Sequence, residues 1–245
     1  MTLPAFSSRQ QRILNLTERQ GFVTIENLAD EFNVSAQTIR RDIITLSEAG
    51  RLQRFHGGAG VVDTKENLRL NHHQKAHISV DAKRKVATST ADLIPDGASV
   101  FLDVGTTVEF TAEALNEREG LKIFTNSIRA ALAFDPSRHD VNVLGGRMTG
   151  RDGSLTGEEI IAALHGLNFD YALIACSGIE DGGRVMDYDM SKIAVKKSAM
   201  RAARRSLLLA TPSKFGRSAL ATIAILSDFD EVIDGEGVPT AGENV

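Results

Sequence analysis

The stretch Val34–Gly50, VSAQTIRRDIITLSEAG, decides how the first part of this chain folds. Ser35 occupies the position of a helix N-cap, and Ile39, Ile43 and Leu46 follow at helical spacing on one face. The opposite face carries glutamine, threonine and two arginines, which are side chains suited to an anionic partner. The stretch therefore predicts a helix that ends at its last glycine, packs on one face and presents the other to DNA.

The residues before this stretch predict two more helices. Ser8 and Gln11 form a capping-box pattern, and Gly21 predicts the end of a first helix. Thr24 is placed to cap a second helix, and Asn33 is suited to the left-handed position that stops it. Two helices joined by a tight turn, the second with exposed arginine and glutamine, predict helix-turn-helix geometry.

The segment Arg51–Val62, RLQRFHGGAGVV, predicts a small hairpin with Gly57-Gly58 at its tip and with Leu52 and Phe55 packed inward. Such a hairpin forms a wing, whose cations lie at the phosphate backbone and supply affinity and register. Residues at the start of the recognition helix reach base edges, where glutamine suits adenine and arginine suits guanine. The residues predicted to contact DNA are Ser35, Gln37, Thr38, Arg40, Arg41, Arg51, Arg54 and His56.

The charge of the chain is unevenly distributed. The 245 residues carry a formal net charge of −4, which taken alone argues against a nucleic-acid binder. Residues 1–57, however, hold seven arginines against six acidic residues, and four of those arginines lie between positions 40 and 54. The positive charge is therefore focused on the predicted DNA-binding segment.

Composition limits the class of protein. With 42 % hydrophobic and 24 % charged residues the chain has the balance of a soluble globular protein, and its length suits two domains. No apolar run approaches the roughly 18 residues that span a bilayer, and the N-terminus lacks an apolar signal core. These features predict a cytoplasmic protein without membrane contact. The single cysteine, Cys176, excludes an internal disulfide, and the apolar run before it predicts a buried, unreactive side chain.

A polar segment separates the two predicted domains. His73 and His77 stand four residues apart in it, as in a helical metal site, but no carboxylate or thiol is spaced to complete that site. A solvated hinge is therefore the favoured interpretation, and no metal or cofactor is predicted. The predicted divisions are a winged helix-turn-helix domain at 1–62, a linker at 63–82, an α/β domain at 83–235 and a disordered tail at 236–245.

From Lys83 onward, helical patterns alternate with short apolar runs, which predicts a mostly parallel sheet covered by helices on both faces. The predicted strands are 99–104, 121–124, 141–144, 171–175, 207–210, 221–226 and 231–233. The predicted helices are 83–94, 106–115, 127–134, 158–164 and 191–205, with a loop at 177–188.

Three turns at the predicted strand ends carry hydrogen-bond donors. Asp103–Thr107 combines a glycine, the free amides of a helix start and two hydroxyls, which suits a phosphate as well as it suits a simple cap. Thr125–Ser127 offers amide and hydroxyl groups to a sugar, or a helix cap. Ser213–Gly216 supplies a lysine, to a phosphate or to solvent. Because ligands of open α/β sheets bind at the carboxyl ends of strands, the three turns together predict a small, polar, phosphorylated ligand.

These motifs resemble those of a known family. Residues Arg9–Ala59 closely resemble the winged helix of the DeoR family of bacterial transcription regulators. The motifs LDVGTT, FTNS, LGGR and SKFG resemble turns of that family's sensor domain. The resemblance implies a repressor of a sugar-catabolic operon, whose sensor domain shares a fold with ribose-5-phosphate isomerase and binds a phosphorylated sugar or polyol. It implies effector-site roles for Asp103, Gly105, Thr106, Thr107, Asn126, Ser127 and Lys214.

The chain departs from the family pattern at three places. Val104 stands where serine is common, Ala210–Ser213 replaces the common Ala-Asp-Ser-Ser, and the loop CSGIEDGGRVMDYDMSK is unlike its counterpart. The identity of the effector is therefore the least transferable part of the resemblance.

Three functions compete at this point. A DNA-binding regulator controlled by a sugar phosphate is favoured. Since one recognition helix buries little surface, we expect at least a homodimer on a repeated site. An isomerase-like enzyme with a fused DNA-binding module is the alternative, although no base recommends itself outside the turns and no catalytic residue is predicted. An oligomerisation domain with an empty cleft is the third.

Overall fold

The computed structural model describes residues 6–20, 22–55, 58–61, 76, 79–148, 150 and 152–236. The N-terminal part contains helices and a small sheet around one apolar core. Its elements are α1 (Ser8–Gln20), β1 (Phe22–Thr24), α2 (Ile25–Phe32), α3 (Ala36–Glu48), β2 (Leu52–Phe55) and β3 (Gly58–Val61). Strand β3 lies between β1 and β2 and pairs antiparallel with both. Ile13, Leu28 and Ile39, one from each helix, are buried together, which confirms the predicted winged helix-turn-helix.

The caps of α2 and α3 agree with the sequence prediction. The Thr24 hydroxyl accepts a hydrogen bond from the amide of Asn27 at 3.1 Å, and the Ser35 hydroxyl accepts one from the amide of Thr38 at 3.2 Å. Asn33 ends α2 in the left-handed conformation with φ of 50°. These three residues fix the tight turn between the two helices.

The cap of α1 differs from the prediction by one residue. Ser7 and Gln10 form the capping box, in which the Ser7 hydroxyl accepts from the Gln10 amide at 3.2 Å. In return, the Gln10 side-chain oxygen accepts from the Ser7 amide at 3.0 Å. The predicted pair, Ser8 and Gln11, was wrong because Ser8 already lies inside the helix.

The wing is a two-stranded hairpin in which Leu52 pairs with Val61 and Phe55 with Gly58. Leu52 is buried, as predicted. His56 and Gly57, predicted respectively as a DNA contact and part of the tip, lie outside the described residues, as does the side chain of Phe55.

The second part is organised around one six-stranded sheet in the order β14-β12-β9-β4-β5-β6, in which all neighbouring strands run parallel. Its strands are β4 (Ser99–Leu102), β5 (Lys122–Thr125), β6 (Asp140–Val143), β9 (Phe169–Ala175), β12 (Ala203–Leu209) and β14 (Glu231–Ile233). A separate antiparallel pair consists of β7 (Arg147–Met148) and β8 (Leu155–Thr156). The helices are α4 (Val80–Leu93), α5 (Thr106–Leu115), α6 (Ile128–Ala131), α7 (Glu158–His165) and α8 (Met190–Arg201).

Both faces of this sheet are covered. Val100 and Leu102 of β4 pack in one apolar cluster with residues of α4, α5 and α6, whereas Phe101 packs in a second cluster with residues of α7 and α8. Successive residues of a strand point to opposite faces, so the alternation places a helical layer on each side. The predicted α/β architecture is confirmed.

The region after β9 differs from the prediction. Residues 177–188, predicted as a loop, contain the strands β10 (Gly178–Ile179) and β11 (Arg184–Asp187). These strands pair antiparallel with each other, and β11 pairs antiparallel with β13 (Ala221–Ile225). The strand predicted at 221–226 therefore belongs to a separate three-stranded sheet, since its partners lie outside the main one.

Two helices are shorter than predicted. Helix α6 ends at Ala131, and α8 ends at Arg201. Helix propensity favoured α8 continuing through two further arginines, but residues from Ala203 onward pair with β9 instead. Tertiary pairing therefore overrides local preference at this point.

The predicted domain boundaries need one adjustment. Helix α4 begins at Val80, so residues 80–82, predicted as linker, belong to its first turn. Most of the remaining predicted linker, including His73 and His77, and residues 237–245 of the predicted tail lie outside the described residues. None of the described helices is long and apolar enough to cross a membrane.

Candidate functional sites

The exposed face of α3 is the candidate DNA-binding surface. Gln37, Arg40 and Arg41 are exposed and lie three and four residues apart, so they share one face of the helix. Ser35 is exposed too, but its hydroxyl contacts that of Thr38 at 2.9 Å as well as capping α3. The structure therefore brings these five predicted residues together at the start of one helix.

The wing adds further cations to this part of the chain. Arg51 and Arg54 are exposed, and the Arg51 guanidinium lies 5.8 Å from the centre of the Phe6 ring. Arg54 stands in β2, opposite Ala59 of β3. Two of the three wing residues predicted to contact phosphates are thus surface cations.

A buried carboxylate fixes the packed face of α3 to α1. Asp42 lies on the packed face of the helix and accepts hydrogen bonds from Arg9 Nε at 2.6 Å and from Gln10 Nε2 at 3.1 Å. Hydrogen bonding to Asp42 raises the pKa of Arg9 despite the opposing effect of burial. Both carboxylate oxygens are satisfied, so Asp42 fixes α3 to α1 and leaves the opposite face of α3 exposed.

The order of the parallel strands locates a second candidate site. From β4 the chain proceeds outward to β5 and β6, then returns to β9 on the other side of β4 and proceeds outward to β12 and β14. The switch point therefore lies between β4 and β9. Ligands of open α/β sheets bind at the carboxyl ends of strands flanking such a point.

Asp103 occupies this switch point. It follows β4, is fully buried, and accepts a hydrogen bond through Oδ2 from the amide of Ala175 at the end of β9, at 3.0 Å. Its second oxygen, Oδ1, is buried without a hydrogen-bond partner. A buried carboxylate oxygen without a partner is uncommon in folded proteins, so Asp103 is a candidate effector-binding residue.

Lys196 of α8 neutralises the switch point, and sequence analysis missed it. Its ammonium group is fully buried and donates to Asp103 Oδ2 and, at 3.0 Å, to the carbonyl oxygen of Ala175. It also lies 3.4 Å from Asp187 Oδ2. The ammonium group therefore donates two hydrogen bonds and forms an ion pair with Asp187.

The opposite charges of this cluster stabilise each other's ionised forms. Burial raises the pKa of Asp103, although the Lys196 ammonium and the Ala175 amide oppose that effect. Burial lowers the pKa of Lys196, but the carboxylates of Asp103 and Asp187 outweigh it and raise that pKa above its ordinary value. Burial also raises the pKa of Asp187, but Lys196 and Ser177 outweigh it and lower that pKa.

Asn126 presents a similar acceptor beside Asp103. Leu102 and Thr125 are paired in the parallel register, so Asp103 and Asn126 follow neighbouring strands at corresponding positions. The Asn126 amide nitrogen donates to the carbonyl of Leu155 at 2.9 Å, whereas its Oδ1 is buried without a partner. Two acceptors without partners therefore stand at one edge of the sheet.

Ser127 acts as a helix cap, which was one of its two predicted roles. Its hydroxyl accepts from the amide of Ala130 at 3.2 Å at the start of α6. Its own amide donates to the Thr125 hydroxyl, which in turn donates to the carbonyl of Leu102 at 2.7 Å. These bonds make the turn after β5 rigid, and an effector-site role of Ser127 stays a prediction.

The turn after Asp103 leads into α5 without a side-chain cap. Gly105 stands at the N-cap of α5 with φ of 132°, so no side chain caps the first turn of this helix. Thr106 and Thr107 follow and are almost fully buried. Amides at the start of a helix without a side-chain cap attract anions, and a glycine permits close approach.

Lys214 lies in the turn that follows β12, within a short 3₁₀ helix from Pro212 to Lys214. It is half-buried, and its charge acts on the thiol of Cys176 together with the charges of Lys196, Asp187 and Asp103. The structure therefore brings Lys214 into the electrostatic surroundings of the switch point. Burial raises the pKa of Cys176 to about 11, as expected of an unreactive thiol.

The segment Asp152–Thr156 closes one side of this region. The Ile128 amide donates to the carbonyl of Gly153 at 3.0 Å, and the Leu155 amide donates to the carbonyl of Asn126 at 2.8 Å. Lys192, one turn before Lys196 on α8, donates to Asp152 Oδ2. Burial raises the pKa of Asp152, but the hydrogen bond from Lys192 outweighs it and lowers that pKa to about 2.

Among the described residues, no group of three or more histidine, cysteine, aspartate or glutamate side chains could hold a metal ion. A sequence signal for Lys196 did exist. It lies three residues from Ile193 and from Ala199, both buried, so it interrupts the apolar stripe of its helix. A lysine in a buried stripe needs a carboxylate partner.

Comparison with known proteins agrees with both parts of the chain. A DeoR-like helix-turn-helix domain matches residues 9–65, and a DeoR C-terminal sensor domain matches residues 78–236. Together these matches cover the winged helix and the parallel sheet with its switch point.

Similar whole proteins are transcription repressors. The glycerol-3-phosphate regulon repressor of Haemophilus influenzae is 35 % identical over 94 % of this chain and 89 % of its own length. The corresponding protein of Escherichia coli is 32 % identical over 92 % of this chain and 89 % of its own length. The Escherichia coli transcriptional repressor CsqR is 33 % identical over 95 % of this chain and 89 % of its own length.

Solved structures show more distant likenesses. The eIF2B beta subunit of Chaetomium thermophilum matches with a TM-score of 0.50 and 13 % identity, over 66 % of this chain and 50 % of that chain. Ribose 5-phosphate isomerase A of Methanocaldococcus jannaschii matches with a TM-score of 0.41 and 17 % identity, over 56 % of this chain and 54 % of that chain. The likeness to the isomerase is too low to carry an argument about activity.

Proposed function

We propose how the two sites of this chain, which belongs to the DeoR family of transcription regulators, work together. The chain is a DNA-binding regulator with a sensor domain. Its operator affinity is set by a phosphorylated sugar or polyol that binds at the switch point between β4 and β9, and it represses a carbohydrate-catabolic operon until that effector releases it. The protein acts in the cytoplasm.

The observation that carries the sensor proposal is the pair of buried acceptors without partners, Asp103 Oδ1 and Asn126 Oδ1, beside a helix start without a side-chain cap. The acceptors suit the hydroxyl groups of a sugar or polyol, and the amides of α5 suit its phosphate. Lys214 contributes positive charge to the same region. Relatives named for the glycerol-3-phosphate regulon make a small phosphorylated polyol the first compound to test.

The proposed DNA contacts are the exposed residues of α3 and the wing. Gln37, Arg40 and Arg41 read bases or hold phosphates in the major groove, and Arg51 and Arg54 hold the backbone. A single recognition helix buries too little surface for tight specific binding, so we expect a homodimer or higher oligomer on a repeated site. The effector acts by favouring one arrangement of the domains over another.

The sensor proposal is tested by a thermal-shift screen of phosphorylated sugars, polyols and sugar acids on the full chain. We expect at least one compound to raise the melting temperature in a concentration-dependent way, as binding to the folded state requires. Thr106→Ala should lower the apparent affinity obtained from that shift about tenfold. Ser137→Ala, an exposed hydroxyl just before β6 at the opposite edge of the sheet, is the matched control and should leave it unchanged.

Operator release is tested by fluorescence anisotropy with a labelled operator, to which a binding compound is added. Dissociation of the complex supports repression relieved by the effector, and tighter binding contradicts it. We propose that the sensor domain does not turn its ligand over. Detectable isomerisation of ribose 5-phosphate that is lost in Asp103→Asn would instead support the enzyme.

A further inference from the structure

The two edges of the six-stranded sheet differ in what they expose. Strand β14 forms one edge, where Glu231 is paired with Arg205 of the neighbouring strand. Charged side chains on an edge strand discourage pairing with another chain. Strand β6 forms the other edge, and among the described residues no strand pairs with its outer side.

The backbone of β6 directs hydrogen-bonding groups away from the sheet. The amides of Asp140 and Leu144 donate to carbonyl oxygens in or beside β5, at 2.9 and 2.8 Å. Because the N–H groups of a strand point alternately to its two sides, the amides of Val141 and Val143 point away from β5. This edge is therefore able to receive a further strand.

Three large apolar side chains are exposed around the same strand. Leu132, at the end of α6, is 80 % exposed, Val143 of β6 is 46 % exposed and Met148 of β7 is 59 % exposed. Helix α6 packs against β6, and β7 follows β6 after only three residues. We call β6 with these side chains the edge surface. Grouped apolar side chains on a surface are typical of an interaction site.

The two ends of the edge surface carry opposite charges. Asp140 is exposed at the amino end of β6, and Arg147 is exposed just beyond its carboxyl end. If two copies pair antiparallel about a two-fold axis, the carboxyl end of each β6 lies beside the amino end of the other. Opposite charges then meet at both ends, so the surface is complementary to itself.

We infer that the edge surface is the site at which a second copy of this chain docks. The β6 strands of the two copies pair antiparallel and join the two six-stranded sheets into one continuous sheet, which covers Leu132, Val143 and Met148. The inference rests on the homodimer expected under the proposed function and names the surface that forms it.

Sedimentation equilibrium on the full chain tests the apolar part of the surface. Leu132→Lys should raise the dissociation constant of the dimer at least tenfold, and a lysine at the end of a helix is compatible with the fold. Ile225→Lys is the matched control, because Ile225 is 47 % exposed but lies at the end of β13 in the three-stranded sheet. It should leave the dissociation constant unchanged. A dimer that is equally stable in wild type and Leu132→Lys contradicts the inference.

Val143→Pro tests the backbone pairing. Proline at this position removes an N–H group that points outward and breaks no hydrogen bond to β5, so the sheet should still form. We expect the dissociation constant to rise at least tenfold in this variant as well, which also covers the case in which Leu132→Lys does not fold. Wild-type dimerisation of Val143→Pro would exclude strand pairing at this edge.

Cross-linking tests the orientation of the two strands. In an antiparallel pair, outward-pointing residues face outward-pointing residues, so a two-fold axis brings one position of β6 opposite itself. Each of the four residues of β6 is replaced in turn by cysteine, with the buried Cys176 as the only native thiol. One variant should form a disulfide-linked dimer under mild oxidation, whereas Ile225→Cys should not. Absence of a link at all four positions overturns the inference.

The inference and the proposed function fail in different ways. If the wild-type chain dimerises but none of the β6 and Leu132 variants changes the dimer, the homodimer stands and only its assignment to the edge surface is wrong. If the wild-type chain stays monomeric at every concentration, the expected homodimer fails. The edge surface is then left to a different protein partner, and the inference fails too.

Discussion

The two domains of this protein each bury a carboxylate near a functional surface, but they satisfy it to different extents. In the winged helix, both oxygens of Asp42 accept hydrogen bonds, from Arg9 and Gln10. In the sensor domain, one oxygen of Asp103 accepts from Ala175 and Lys196, and the other has no partner. The saturated carboxylate of Asp42 fixes a helix in place, whereas we propose that the second oxygen of Asp103 accepts a hydrogen bond from the effector.

The difference follows from the partner that each domain meets. DNA is a large polyanion, so its binding surface consists of exposed cations on a helix that must not move, and Asp42 supplies only rigidity. Sites for small molecules enclose most of the ligand surface, which is consistent with the buried polar groups of the proposed effector site. Variants that exchange or remove these properties therefore test the comparison.

The largest effect is expected for Lys196→Met, which leaves Asp103 and Asp187 buried without a counter-charge. Breaking a buried pair by removing one partner destabilises by about 3–5 kcal/mol. The loss should appear in the unfolding transition of the sensor domain in urea. It should shrink at lower pH, because protonation of the two carboxyl groups then replaces the missing ammonium.

Two further substitutions serve as comparisons for that measurement. Lys85→Met, at an exposed lysine of α4, should cost less than about 1 kcal/mol, as expected for a surface substitution. Arg9→Met removes one of the two partners of Asp42 but should cost only about 1 kcal/mol, because Arg9 is 36 % exposed and solvent screens its charge. Equal losses for Arg9 and Lys196 would contradict the distinction drawn between the two carboxylates.

Arg41→Ala should weaken operator binding about 100-fold while leaving the unfolding transitions unchanged. Loss of one good base contact costs roughly 1–3 kcal/mol, and Arg41 is exposed on α3 without a packing role. Fluorescence anisotropy with a labelled operator measures the change. Arg204→Ala, an exposed arginine of the sensor domain, is the control, and unchanged affinity in Arg41→Ala would remove this residue from the proposed interface.

The smallest effect concerns the segment that closes the sensor site. The pKa of Asp152 is about 2, below its ordinary value of 3.8. Its ionised form therefore stabilises the fold above about pH 4, and that contribution is lost as the pH falls through 2. Asp152→Asn should lower the free energy of unfolding at pH 7 by less than about 1 kcal/mol, because the side chain is 31 % exposed and solvent screens the ion pair, and it should flatten the dependence between pH 4 and pH 2.

Chemical denaturation at several pH values measures this effect. Asp92→Asn, whose side chain is 74 % exposed, is the control and should keep the wild-type pH dependence. An Asp152→Asn profile that still falls as steeply as the wild type between pH 4 and pH 2 contradicts the proposed role of the Lys192 contact.

The same contrast explains what could be predicted from sequence. The winged helix follows from local signals, because Thr24, Asn33 and Ser35 act within three or four residues of their own positions. The parallel sheet follows from the alternation of apolar runs. Asp103, Asn126 and Lys214 follow strand ends, which a parallel sheet brings to one edge whatever its detailed order.

The rest of the site depends on distant parts of the chain. Lys196 lies 93 residues from Asp103 along the sequence, and their contact exists only because β9 returns beside β4. The antiparallel strands at 178–179 and 184–187 are stabilised by β13, whose pairing no local pattern indicates. The periodicity shows that Lys196 interrupts an apolar stripe, but it does not show which carboxylates pair with the ammonium group.

The burial of Lys196 between two carboxylates has a practical consequence for anyone who wishes to retarget this sensor. The lysine connects α8 to the carboxyl ends of β4 and β9. Libraries for new inducers can therefore keep Lys196, Asp103 and Asp187 constant and vary Val104 and Thr211–Ser213, in the turns after β4 and β12. A biosensor built on this scaffold would change its ligand specificity while keeping these buried charged residues.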